Sequence, residues 1–394
     1  MKRLLQICFD TLLISILPIL MWILLGFIVT KDISNVFSLT YPLQFFFMFF
    51  ESLFSKGPNV VAKKINQKAV IDSNIVFGTV LVGILTIVLC INVDWYIGFL
   101  GMDASLYHNY CLYSVLFLYL SYVIQLILQK LYFNNENGRA NKITSFFNIT
   151  NFLAIICLSM LIRQEAAIGI TLLIDLFIVT MVFVKNVRVD NFSIKVRESI
   201  KFSSFNLLRN ISMLLIYVVG FRRSFVFGAI YVTTINFESL TTDAQWDMLY
   251  SIDTVSKIDF AENKFDYKTS LKNAYKLIVL LIMSSILLNV ALFWYFKPDL
   301  GVLLILLAVQ YIDMLLDPLK TLRLNYLQIQ DNSVKHNIFY VFNRIVRFGC
   351  SFIPSVFCTY IAQAVSIVML LTYSLYQCRN VEVFKLFKKG EITP

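Results

Sequence analysis

The sequence predicts an all-α membrane protein of about twelve transmembrane helices, arranged as two six-helix bundles related by an internal parallel repeat. Three observations predict it. Hydrophobic residues make up 58% of the 394-residue chain and charged residues only 15%, with a mean hydropathy of +0.74, which the half-polar surface of a soluble domain does not allow. Apolar runs of about 20 residues, the length that crosses a bilayer, recur between polar clusters along the chain. Lys and Arg concentrate in every second one of those clusters.

The first run, roughly residues 4 to 30, follows Met1-Lys2-Arg3; its apolar core is too long for a cleaved leader and no small-x-small site follows, so it reads as a span. Further runs cover roughly residues 36 to 66, 72 to 93, 107 to 133, 143 to 162 and 164 to 185, completing a first bundle over 1–190. The second bundle, 191–380, holds runs at roughly 198 to 220, 225 to 257, 270 to 296, 299 to 328, 337 to 358 and 359 to 379. Residues 381–394 remain as a basic cytoplasmic tail. Its Phe384-Lys385-Leu386-Phe387-Lys388-Lys389 reads either as an amphipathic stretch on the anionic inner leaflet or as a frayed end. Runs longer than the bilayer imply helices that protrude into the cytoplasm.

Charge tests this threading. With the N-terminus inside, the cytoplasmic loops receive Lys2 and Arg3, then Lys56, Lys63, Lys64 and Lys68, then Lys130, Arg139 and Lys142. Lys185, Arg188, Lys195, Arg197 and Lys201 follow, then Lys257, Lys264, Lys268 and Lys272, then Lys320, Arg323 and Lys335, and last Arg379, Lys385, Lys388 and Lys389. The outside receives Lys31, Arg163, Arg222, Arg223 and Lys297, a split of 25 to 5 that the positive-inside rule predicts. Both termini are then cytoplasmic and the protein is placed in the plasma (inner) membrane.

The two halves echo each other. Glu136-Asn137, Ile143 and Phe147-Asn148 recur as Asp331-Asn332, Ile338 and Phe342-Asn343 at an offset of 195 residues, and Val61-Ala62-Lys63 recurs as Val255-Ser256-Lys257 at 194. Six spans per half make the repeats parallel, with the substrate path expected at their interface.

Other chemistries have little material. The seven cysteines are scattered without C-x-x-C spacing, and His108 and His336 stand apart from any metal-ligand pattern. No clustered nucleophile and base suggests an enzyme, no cofactor is expected, and the net charge of +10 comes with no nucleic-acid motif, so nucleic acid is not an expected partner.

Punctuation adds a family resemblance. Span 1 contains Leu17-Pro18, span 2 ends in Gly57-Pro58-Asn59-Val60-Val61-Ala62-Lys63-Lys64, and span 4 is followed by Asn134-Asn135-Glu136-Asn137-Gly138-Arg139, with Asn148 in span 5. In these features the chain resembles the MATE (multidrug and toxic compound extrusion) family of the multidrug/oligosaccharidyl-lipid/polysaccharide exporter superfamily over nearly its full length, as a divergent member. The resemblance implies alternating-access export. It departs at span 1, whose interior from Thr11 to Thr30 lacks the aspartate common in that family. Thr241-Thr242-Asp243-Ala244-Gln245-Trp246-Asp247 in span 8 has no counterpart in a general family motif.

Ionisable groups at membrane depth are functional candidates because each costs at least roughly 2.5–3.5 kcal/mol on insertion scales. Here they are Asp175, Arg209, Glu238, Asp243, Asp247, Asp313, Asp317, Arg344 and Arg347, an excess of acids that predicts an anionic interior. At 100° per residue, Asn236, Asp243, Asp247 and Thr254 form one stripe of span 8, with Glu238 and Gln245 opposite. An i, i+4 carboxylate pair suits an alternately protonated or cation-loaded site, while neutralisation by Arg209 or Arg347 would make it merely structural; both readings stay open. Asp313 and Asp317 precede Pro318, which suggests either a broken helix that binds cations or a kink at the membrane edge with a solvated Asp317. Trp246, with Phe45, Phe46, Phe47, Phe49, Phe50 and Phe117, offers aromatic contact to a flat cation, or simply packs.

The reading is a monomeric secondary exporter of amphipathic, cationic small molecules, coupled to protons or sodium. Its substrate or ion site is drawn from Asp243, Asp247, Asn236, Trp246, Asp313, Arg209 and Asp175. Its partners are the lipid bilayer and a small-molecule substrate. Two alternatives remain: a flippase for a lipid-linked saccharide or peptide product, and a non-transporting membrane scaffold or immunity protein.

Overall fold

The computed structural model describes residues 2–56, 58, 69–134, 136–188, 192–194, 196–261, 264–329 and 333–384. Among them the regular structure is helical throughout. Helix α1 (Lys2–Ile28) is followed by a 3-10 turn (Lys31–Asn35) and α2 (Val36–Glu51), which runs into a π-turn (Ser52–Lys56). Then come α3 (Ala69–Ile91), α4 (Val93–Leu100), α5 (Ala104–Phe133), α6 (Asn137–Leu161), α7 (Gln164–Asn186) and α8 (Val196–Phe227). The chain continues through α9 (Ala229–Ala261), α10 (Tyr267–Phe296), α11 (Leu300–Ile329), α12 (Ser333–Cys350) and α13 (Cys358–Gln377), and ends in a 3-10 turn (Glu382–Phe384).

Each apolar run predicted from the sequence overlaps a helix among the described residues, although the run at 337 to 358 leaves the helix after Cys350. Nine stretches among the described residues are long and apolar enough to cross a bilayer; α9 and α12, which carry most of the intramembrane charge, fall outside that set, and α1 contributes the shorter apolar stretch Ile16–Ile28. The protein is thus a multi-pass helical membrane protein.

The boundaries differ where local chemistry overrides hydropathy. Span 2 is helical through Glu51 and winds as a π-turn from Ser52 to Lys56, and its expected end at residue 66 lies outside the described residues. Helix α4 was not expected: its eight residues bury Val93, Ile97 and Leu100 and leave Trp95 67% exposed, an amphipathic pattern too short for a span. Gly101 ends it with φ +93°, and a Cβ there would also stand 3.1 Å from the Phe225 Cβ. Arg222 and Arg223, read as an outer loop, lie inside α8, and Arg222 sits 4.3 Å from the centre of the Phe99 ring. Gly228, at φ +122°, is the break before α9.

The chain forms two compact units, Ile16–Val232 and Met1–Ser15 with Thr233–Pro394. Within the first, Lys130 Nζ reaches both oxygens of Asp72 (2.6 and 2.9 Å) and the Asn186 carbonyl (2.6 Å), tying together the ends of α3, α5 and α7. Phe54 of the π-turn packs so closely on α3 that a Cβ at Gly78 would lie 2.7 Å from its Cβ. Phe45 stacks on Tyr217 of α8 and Phe117 on Phe147 of α6, so these candidate aromatics pack within the unit. Within the second, Phe384 is buried against Tyr267, Tyr326 and the Arg323 guanidinium, which excludes a frayed end at that residue; Lys385, Lys388 and Lys389 lie outside the described residues.

Burial is inverted relative to a soluble protein. Leu161 is 78% and Val184 71% exposed, while Asp175, Asn236, Glu238 and Asn343 are each 0% exposed. Apolar side chains turned out and polar ones turned in match a hydrocarbon solvent.

Candidate functional site

Polar side chains converge in two places, one in each unit. In the Ile16–Val232 unit the centre is Asp175, on α7. Asn151 of α6 donates its amide to Asp175 Oδ2 at 2.5 Å and also contacts Tyr113 Oη of α5, at 2.9 Å from Nδ2 and 3.1 Å from Oδ1. Tyr113 is fully buried, its ring set edge-on to Trp22 of α1 and its hydroxyl 3.7 Å from the Met21 sulfur. Asp175 Oδ1 is buried with no hydrogen-bond partner among the described residues. A carboxylate with one oxygen held and one bare, in an apolar surround, has capacity for a proton or one small cation.

In the other unit, α9, α10, α11 and α13 share a hydrogen-bonded core. Trp246 Nε1 donates to Gln310 Oε1 at 2.9 Å; Gln363 Nε2 donates to the same oxygen at 3.0 Å and to Asp313 Oδ2 at 2.7 Å. Lys320 Nζ lies 2.6 Å from Asp313 Oδ1 and 3.4 Å from Asp317 Oδ1, which also accepts from the Thr321 hydroxyl at 3.1 Å. Glu238 is held at both oxygens, by Thr242 Oγ1 at 2.8 Å and by the Tyr360 hydroxyl. Thr241 accepts from Asn289 at 3.0 Å, linking α9 to α10.

The sequence-based candidates separate accordingly. Asp243, Asp247, Asn236 and Trp246 lie on α9 and Asp313 on α11, all in the Thr233–Pro394 unit, whereas Asp175 and Arg209 belong to Ile16–Val232. Asn236 is buried, and Asp243 and Asp247 are half-buried, with Asp243 Oδ2 enclosed and lacking a hydrogen-bond partner among the described residues. Glu238 and Asp247 are both near enough to act on Asp243 electrostatically. The side chain of Thr254, the fourth member of the stripe, lies outside the described residues. Arg209 is half-buried on α8.

One expectation changes and two gain detail. Glu238 and Gln245, placed opposite the Asp243 stripe of span 8, are 0% and 2% exposed, so that side of α9 is enclosed by protein as well. Pro318 does not break α11, which is helical from Leu300 to Ile329. Lys320, counted with the cytoplasmic charges, is buried against the α11 acids and reduces the anionic excess there. Gln310, Gln363, Tyr360, Asn151 and Tyr113 were not singled out from the sequence. Gln310 stands three residues before Asp313 and seven before Asp317, a same-face spacing that could have found it. A cavity of about 260 Å³ in the same unit, lined by Leu4, Ile252, Ser256, Asp266 and Asn273 among others, contains none of the candidates.

No family model matches the chain, and no curated protein does. Solved structures do. An inward-facing multidrug resistance MATE family transporter of the MOP superfamily aligns over 96% of this chain and 98% of its own, at 13% identity and a TM-score of 0.65. MATE in complex with MaD5 aligns over 96% of both chains at 13% identity and 0.67, and a MOP superfamily transporter from Pyrococcus furiosus over 96% of both at 15% and 0.66. The likeness establishes the fold.

Proposed function

We propose that this chain is a divergent MATE-like transporter that exports amphipathic, cationic small molecules by antiport against protons or sodium. The observation that carries the proposal is Asp175: a carboxylate of 0% exposure whose Oδ2 is held by Asn151 and whose Oδ1 is bare among the described residues. Such a group is costly at membrane depth unless a proton or cation completes it, and completing it on one side only is the elementary act of coupling. One charge moving down 100 mV supplies about 2.3 kcal/mol, so one or two ions per cycle suffice for useful export.

Asp243 and Asp247 then take the substrate cation or a second ion, Trp246 gives it an aromatic face, Asn236 assists, and Asp313 acts indirectly by holding Gln363, which shares Gln310 with Trp246. The chain would work as two parallel six-span halves, 1–190 and 191–380, rocking as a monomer in the plasma membrane with both termini cytoplasmic. Arg209 supplies counter-charge in the unit that holds Asp175. The acids of α9 disfavour a phosphate-bearing lipid cargo.

The test is retention of a fluorescent lipophilic cation in cells expressing the native chain, Asp175→Asn or Asp243→Asn at equal membrane levels, with and without an uncoupler. Lower retention with the native chain alone, abolished by the variants and by collapse of the driving gradients, supports the reading. Retention equal to that of empty cells overturns it and favours a flippase or a scaffold.

A further inference from the structure

We infer that Lys320 is the resident counter-cation of a two-carboxylate site on α11, and that by filling this site it excludes metal cations from Asp313 and Asp317. Asp313, Asp317 and Lys320 follow one another at i, i+4 and i+7, so they share one face of a continuous helix. The ammonium stands 2.6 Å from Asp313 Oδ1 and 3.4 Å from Asp317 Oδ1, with side-chain exposures of 12%, 6% and 13% for Lys320, Asp313 and Asp317. A small hard cation would be bound by the same oxygen chemistry.

Two further features make the place a cation site in all but its occupant. Thr321 Oγ1 is already at Asp317, 3.1 Å from Oδ1. Pro318 has no N–H and so cannot donate to the Met314 carbonyl one turn earlier. Lysine delivers that charge covalently: it cannot dissociate, and a metal ion entering beside it would meet like charge at close range. For its functional meaning the inference rests on the antiport reading, within which it removes the α11 acids from the exchangeable set and leaves coupling to Asp175 and the α9 acids.

The experiment reads ion binding, not transport, so its failure is distinct from failure of the antiport reading. Melting temperature is measured for the purified full chain in detergent, in sodium against N-methylglucamine at equal ionic strength, with Asp175→Asn in every variant to silence the other unit. With Lys320 intact, Asp313→Asn should leave the response to sodium unchanged. Lys320→Met should gain a sodium-dependent rise of about 2–4 °C or more, and Lys320→Met with Asp313→Asn should lose it. A folded, monodisperse Lys320→Met without the gain overturns the inference, as does a sodium shift with Lys320 intact that Asp313→Asn removes. If Lys320→Met does not fold, Lys320→Met with Asp317→Asn leaves one buried carboxylate, and the same gain or its absence decides.

Discussion

Asn151 Nδ2 lies 2.5 Å from Asp175 Oδ2, so a single amide on α6 fixes the orientation of the most enclosed acid on α7 and leaves its other oxygen bare among the described residues. Asn151→Ala should therefore leave a buried carboxylate without its donor, destabilising the protein by about 1–3 kcal/mol. Asp175→Asn, which keeps the shape without the charge, should cost less stability and more transport. Melting temperature and vesicle transport measured on both variants separate the two effects.

Trp246 presents an indole whose N–H is committed to Gln310 at 2.9 Å, which fixes the plane of the ring. If that ring faces a substrate cation, Trp246→Ala should weaken apparent affinity roughly 2- to 30-fold, the range of a cation–π contact. Trp246→Phe keeps a ring and should lose less. Apparent KM for a lipophilic cation in vesicles is the measurement.

Gly78 and Gly83 lie on the same helix but face different neighbours. A Cβ at Gly78 would meet the Phe54 Cβ and Cγ at 2.7 Å, next to backbone that cannot retreat, whereas one at Gly83 would meet the Tyr119 hydroxyl at 2.8 Å. Gly78→Ala should cost about 1–3 kcal/mol as an overpacking change. Gly83→Ala should cost less, since only the far end of Tyr119 has to move, giving up its bond to the Thr79 carbonyl. Thermal unfolding of the two variants in one detergent tests the order.

Asp266 caps α10 by accepting from the Thr269 N–H at 3.3 Å, and the Thr269 hydroxyl, with this N–H behind it, holds its carboxyl below the usual range. A lowered folded value means that the contribution is complete above the ordinary aspartate pKa of about 3.9 and is lost as pH falls through the lower one. Asp266→Ala should cost about 0.5–1 kcal/mol, near the low end for an exposed cap. The gap in melting temperature between native and variant should hold from neutral pH to about pH 5 and close below about pH 4.

Much of the fold was legible because hydropathy and length decide where a helix meets lipid, and those signals are carried by whole segments rather than single residues. Helix α4 escaped because eight amphipathic residues lie below the length at which hydropathy speaks, and its pattern of Val93, Ile97 and Leu100 emerges only with helical phasing. The site was half legible. Asp175, Asp243 and Asp313 stand out because charge at membrane depth is costly, but their amide and hydroxyl partners Asn151, Gln310, Gln363 and Tyr360 carry no such cost and look like ordinary span residues. A helical wheel places Glu238 opposite Asp243 but says nothing of what covers that side, and its enclosure at 0% exposure is a tertiary fact. The pairing of Lys320 was not read because counting charges by side assigns no partner, while the partners of this one lie three and seven residues back along its own helix.

The central claim is that export is coupled to an ion through Asp175. The most direct test reconstitutes the purified chain in liposomes, imposes a proton or a sodium gradient, and follows movement of a fluorescent lipophilic cation against it. Movement driven by one of the two gradients is expected in the native protein and lost in Asp175→Asn, with the variant folded and equally reconstituted. Movement that ignores both gradients, or that survives Asp175→Asn undiminished, would contradict the claim.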